Sequence, residues 1–148
     1  MLATIQSLRE IARRCTIGQP IDGDLARWFG ASLDAFLKHQ ARTIDEALGL
    51  RNARGGVPWW LEEGMRLRDQ ALRDLVRRYL PEMSVSAQAS RIRDLAMRYA
   101  ASAWRFERGL EQMPQRYAGT PSEFLWRAFK SGAPMPIGER QLRNILAH

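Results

Sequence analysis

Side chains that serve as nucleophiles, proton shuttles or metal ligands are few in this chain. It holds two histidines and one cysteine: His39 near an expected helix end, His148 at the C-terminal end of the sequence, and Cys15 alone. No Cys/His or Ser/His/Asp constellation can be built from that spacing, and a zinc site lacks the ligands. Adjacent carboxylates occur at Asp45-Glu46 and Glu62-Glu63. Acid/base chemistry would need such pairs to face each other across a cleft, whereas acidic residues near helix starts complement the helix dipole. Glu62–Arg66, Asp69–Arg73 and Asp74–Arg78 have the favourable i,i+4 order of helix-surface ion pairs. Gly55-Gly56 is a turn signal without a phosphate-cradle pattern around it. The expectation is a protein that is not an enzyme and carries no metal or organic cofactor.

Anion recognition is the chemistry that the residue types do suggest. The net charge is +7, and nearly all the positive charge is arginine, with Lys38 and Lys130 the only lysines. Such a charge attracts polyanions over long range, although a GC-rich genome gives the same arginine bias. The excess is spread along the chain rather than gathered in a tail. Three segments could concentrate it. In the first, Arg91, Arg98 and Arg105 recur every seven positions. On one continuous helix they would stack into a stripe, with Asp94 and Arg108 beside it, on the side away from Ile92, Tyr99 and Phe106. Such a row suits bidentate contacts to a phosphate backbone, and it is equally what the solvent face of an amphipathic helix carries. In the second, Arg51, Asn52, Arg54, Gly55 and Gly56 precede Trp59-Trp60. This mixture of arginines, glycines and aromatics suits nucleic-acid or other anion binding, while a plain connection with a tryptophan anchored in the core explains it too.

The third segment is the last 28 residues. Phe124, Leu125, Ala128 and Phe129 fall on one side of a helix, Leu142, Ile145 and Leu146 on one side of another, and Gly132 to Ile137 form the turn. The stretch 121–148 resembles a helix-turn-helix with a longer turn than usual. Arg140, Gln141, Arg143 and Asn144 then point outward, and these are the side-chain types that read guanine and adenine edges in the major groove. The same letters describe two helices closing a small bundle.

The elements positioning these residues read as helices throughout, because apolar spacing of three and four recurs and no strand-like alternation appears. A first helix uses Leu2, Ile5, Leu8, Ile11, Ala12 and Cys15 and stops near Gly18 and Pro20. A second starts around Asp22 to Asp24 and buries Leu25, Trp28, Phe29, Leu33, Phe36 and Leu37, with Gly30 as a weak point. Thr43 and Glu46 have capping-box spacing ahead of a short helix closed by Gly49. Leu50 to Val57 is a loop. Pro58 opens a helix reaching Leu80, with Leu61, Met65, Leu72, Leu75, Val76 and Tyr79 inward and Arg68 unmatched among them. Ser84 or Ser86 caps the longest helix, about 85 to 112, whose apolar side runs from Val85 through Ala89, Ile92, Leu95, Ala96, Tyr99, Ala103 and Phe106 to Leu110. Trp104 flanks that side. Thr120-Pro121 starts a helix to Ser131, and a short one follows over about 138 to 147.

The sum is an all-α bundle of about six helices, with two long central helices and a helix-turn-helix-like C-terminal pair. Its length of 148 residues and 45% hydrophobic content suit one domain, 1–148, without disulfides. Gln6, Ser7, Arg9 and Glu10 interrupt any long apolar run near the start, so neither a signal-peptide core nor a membrane span is expected. The lone cysteine fits the cytoplasm. The functional expectation is a small basic DNA-binding regulator whose partner is nucleic acid. The alternative is a helical protein-interaction module or assembly subunit, with exposed aromatics of the second helix and Trp59-Trp60 as its sticky surface.

Overall fold

The computed structural model describes residues 2–51 and 56–148. Among these the fold is all-helical, with eight α-helices, one 3-10 turn and no strand. The chain divides into two compact units, Met1–Trp59 and Trp60–His148.

The first unit holds α1 (Leu2–Thr16), α2 (Gly23–Leu37) and α3 (Ile44–Ala47). Ile5, Leu48 and Leu50 form its buried cluster, with Leu8, Trp28, Phe29 and Trp59 packed around them. Trp59 packs into this cluster, as one of the two tryptophans was expected to pack into a core. Chain reversal depends on the residues just past the helix ends. After α2, His39 stands at φ 60°, where its amide donates to the Phe36 carbonyl and that of Gln40 to the Ala35 carbonyl. This is the paired-bond arrangement that satisfies the last carbonyls of a helix. Glycine meets the same left-handed requirement after α1 and α3, at Gly18 and Gly49. Asp22 caps α2 by accepting from the Asp24 amide. Thr43 Oγ1 accepts from the Glu46 amide while Glu46 Oε2 accepts from the Arg42 amide, a capping box displaced by one residue on its return bond. The expected inner faces are too wide. Ala12 and Cys15 on α1 are exposed, and so are Phe36 and Leu37 at the end of α2, Leu37 to 72%. A small three-helix unit has too little interior to cover whole stripes. Gly30 leaves α2 unbroken.

The second unit holds α4 (Trp59–Tyr79) from Trp60 onward, α5 (Val85–Ala101), α6 (Trp104–Glu107), the 3-10 turn Gln115–Tyr117, α7 (Pro121–Lys130) and α8 (Glu139–Leu146). Leu72, Leu75 and Val76 of α4, Ala89, Ile92 and Tyr99 of α5, Phe124, Leu125, Trp126 and Ala128 of α7, and Leu142 of α8 make one core. Burying such side chains contributes about 1.5–3 kcal/mol each. Gly64 lets α4 approach the turn after α7 closely, since a Cβ there would stand 2.8 Å from the Ser131 carbonyl oxygen. Arg68, 4% exposed, is matched internally: its Nε donates to Asp69 at 2.8 Å and its NH1 to the Pro134 carbonyl. Ion pairs on α4 differ from the expected i,i+4 set. Arg66 pairs with Glu63 and Arg77 with Asp74, both one turn back by three residues. Asp69 is taken by Arg68, and Arg73 turns to a backbone carbonyl of α8.

The longest expected helix is the main correction. Instead of running from 85 to 112 it ends at Ala101, and Ser102 takes φ −118° and ψ −101°. Ser102 Oγ donates to the Arg98 carbonyl and its amide to the Tyr99 carbonyl, so side chain and backbone together close the helix there. Past the break the face turns over. Phe106, expected inside, is 84% exposed, Leu110 is exposed, and Glu107 is buried in its place. Val85, expected on the apolar side, is exposed as well. Trp104 is half-buried, its ring 5.4 Å from that of Phe129. The bundle therefore has more and shorter helices than the six expected.

Candidate nucleic-acid interface

α8 is eight residues long, shorter than an isolated helix can be stable in water, so the rest of the unit must hold it. Leu142 and Ile145 bury its inner side, with α5 as its main packing partner. At its N-terminal end the Glu139 carboxylate pairs with Arg93 of α5 at 3.5 Å. At its C-terminal end the Ile145 carbonyl accepts from Arg73 Nε of α4 at 2.9 Å. A cation on the last carbonyls also complements the helix dipole. Between these two clamps Arg140, Gln141, Arg143 and Asn144 are all exposed. The turn and both helices of the helix-turn-helix-like segment stand where expected, but α8 leans on α5 rather than chiefly on α7.

The other sites fare differently. Arg91 and Arg98 are exposed on α5 and keep their seven-residue alignment. Arg105 is exposed too, but it belongs to α6 beyond the break, so the continuous three-arginine stripe does not exist. Among the described residues none of Arg91, Arg98, Arg105, Arg140 and Arg143 is in an ion pair with a carboxylate. Arg51 is exposed and pairs with Glu46 at 3.3 Å, while Asn52, Arg54 and Gly55 lie outside the described residues. Trp60 is 59% exposed.

One polar constellation escapes the sequence reading. Glu107, 5% exposed, accepts from Tyr99 Oη at 2.9 Å, from Tyr117 Oη at 2.8 Å and from Arg116. Burial first, and then the bond to the carboxylate, push the Tyr99 and Tyr117 hydroxyls above the ordinary tyrosine range. The four residues tie α5, α6 and the 3-10 turn together. None of the four lines the pocket between α4 and α7 or the groove at Met97. Sequence spacing hides the constellation because Glu107 is inward only once the helix breaks at Ser102; a glutamate one place from Phe106 with tyrosines eight before and ten after was the available sign. Among the described residues no group of three or more His, Cys, Asp or Glu side chains could hold a metal ion, and no helix is long and apolar enough to cross a membrane.

No protein-family model, curated protein or solved structure matches this chain.

Proposed function

We propose that this protein is a non-enzymatic, cytoplasmic nucleic-acid-binding protein, a small regulator that engages duplex DNA through α8. The observation that carries the reading is the held helix: Leu142 and Ile145 seat α8 on α5 and Arg73 bonds its last turn, and its exposed side presents Arg140, Gln141, Arg143 and Asn144. A reader helix must be rigid to turn side-chain chemistry into base discrimination. Arg91 and Arg98 of α5 supply further charge for phosphate contacts. The test is a titration of random duplex DNA at two salt concentrations. Binding at low salt that weakens steeply as salt rises supports the reading, since each neutralised phosphate releases a counterion.

A second reading, a helical protein-interaction module, is favoured by apolar side chains left in water in the second unit. Met97 and Ile137, the latter 81% exposed, flank a small apolar groove with Ala96, Ala100 and Met135. Absence of DNA binding at low salt transfers the function to this class.

A further inference from the structure

α5 turns Ile92, Ala96 and Tyr99 into the core of its unit. At about 100° per residue its opposite side carries Asp94, Met97, Arg98 and Ala101, and all four are exposed. Met97 is 58% exposed, and across the small groove beside it stands Ile137 at 81%. Ile137 precedes Gly138, the N-cap of α8, a position from which an apolar side chain ordinarily folds back on the fourth helical residue, here Leu142. Leu142 is fully buried without it, so Met97 and Ile137 together leave an apolar strip in water. Charges of both signs border that strip. Asp94 and Arg98 are four residues apart with the acid first, the order that favours a pair within one helix, yet among the described residues neither has an ion-pair partner. They stand two residues to either side of Ala96, or about 3 Å along the axis each way. A two-fold axis at that level, with two α5 helices antiparallel, sets Asp94 of each copy opposite Arg98 of the other, and such an isologous contact meets both charges twice. The same operation brings Met97 and Ile137 of both copies to one edge of the contact. An acidic protein or a polyanion would instead meet Asp94 at the middle of the face, where like charge repels.

We propose that this face of α5 binds a second copy of the chain, giving a two-fold dimer in which Asp94 of each copy pairs with Arg98 of the other and the strip of Met97 and Ile137 is covered. Ala101, near the middle of the face, lets the two helices approach closely. The contact uses none of the α8 side chains offered to bases. Arg98 holds the carboxylate with part of its guanidinium and keeps further donors for phosphate, so the dimer stands whether or not α8 reads DNA.

The experiment is sedimentation velocity of the full chain, freed of nucleic acid, across a range of concentrations. The expected result is a reversible dimer with a dissociation constant of about 1–100 μM, as suits a contact of modest area. Asp94→Arg and Arg98→Asp each set like charges at both pairs, and each alone should weaken association by at least about tenfold. Mixed in equal amounts, the two variants again oppose unlike charges at both pairs and should form a heterodimer about as strong as the native dimer. Both positions are exposed, and unchanged unfolding midpoints show that the variants are folded. The proposal is overturned if the native chain stays monomeric throughout, if either single variant associates as strongly as the native chain, or if the mixture fails to associate.

Discussion

Tyr99 Oη donates to Glu107 Oε2 across the helix break at Ser102, at 2.9 Å and with both residues buried. Together with the bonds from Tyr117 and Arg116 to the same carboxylate, it joins the end of α5 to α6 and holds Glu107, rather than Phe106, inward. Replacing Glu107 by Ala strands the Tyr99 hydroxyl in the interior and should destabilise the protein by about 1–3 kcal/mol, read by denaturant unfolding. Glu107→Gln, which keeps an acceptor, should cost less.

The same cluster sets an alkaline limit. Tyr99 and Tyr117 ionise at higher pH in the folded protein than in the unfolded chain. Their contribution is fully present below about pH 10 and is lost as pH rises past it, because the unfolded state gives up the phenolic protons first. Stability measured from pH 8 upward should begin to fall near the ordinary tyrosine pKa, and absorbance of phenolate from Tyr99 should appear together with unfolding. Phenolate formation at an ordinary pKa in the folded state would contradict the buried arrangement.

Two helix glycines should respond with opposite signs. At Gly64 an added methyl meets the Ser131 carbonyl at 2.8 Å, on a turn fixed by Ser131 Oγ and by the Arg68 bond to Pro134. Gly64→Ala should therefore destabilise by about 1–3 kcal/mol through overpacking, less up to about 1 kcal/mol of helix propensity. At Gly30 nothing lies within 4 Å, so Gly30→Ala should stabilise by roughly 0.5–1 kcal/mol. Thermal or denaturant unfolding of the two variants compares them directly.

His39 holds a left-handed backbone with φ 60° although it has a Cβ. His39→Gly should leave the bonds to Phe36 and Ala35 in place and stabilise by up to about 1 kcal/mol, the steric cost of the left-handed region less the added freedom of the unfolded chain. Loss of stability on this change would mean that the imidazole itself contributes.

For the proposed function, Arg140→Ala with Arg143→Ala should weaken sequence-specific DNA binding by about 2–6 kcal/mol, at about 1–3 kcal/mol for each bidentate base contact. Both side chains are exposed, so unfolding midpoints should stay unchanged. Unchanged DNA affinity in the double variant would remove α8 as the reader.

Helical class, most helix boundaries and the caps at Asp22, Thr43 and Ser84 are decided by local chemistry, because a side-chain oxygen before an amide or a left-handed residue after a carbonyl acts within a few residues. The cores around Leu72, Leu75, Phe124 and Leu142 were equally legible, since their spacing of three and four leaves one way to hide them. What periodicity alone misplaced is Phe106. Its spacing from Ile92 and Tyr99 continues the apolar face, and only the tertiary structure brings Tyr117 and Arg116 round to meet Glu107 and turns that face outward. The match of buried Arg68 to the Pro134 carbonyl, 66 residues on, and the clamps on α8 from Arg73 and Arg93 are likewise tertiary. A buried or end-of-helix polar group takes whatever partner the fold carries to it, and that partner has no fixed offset along the chain.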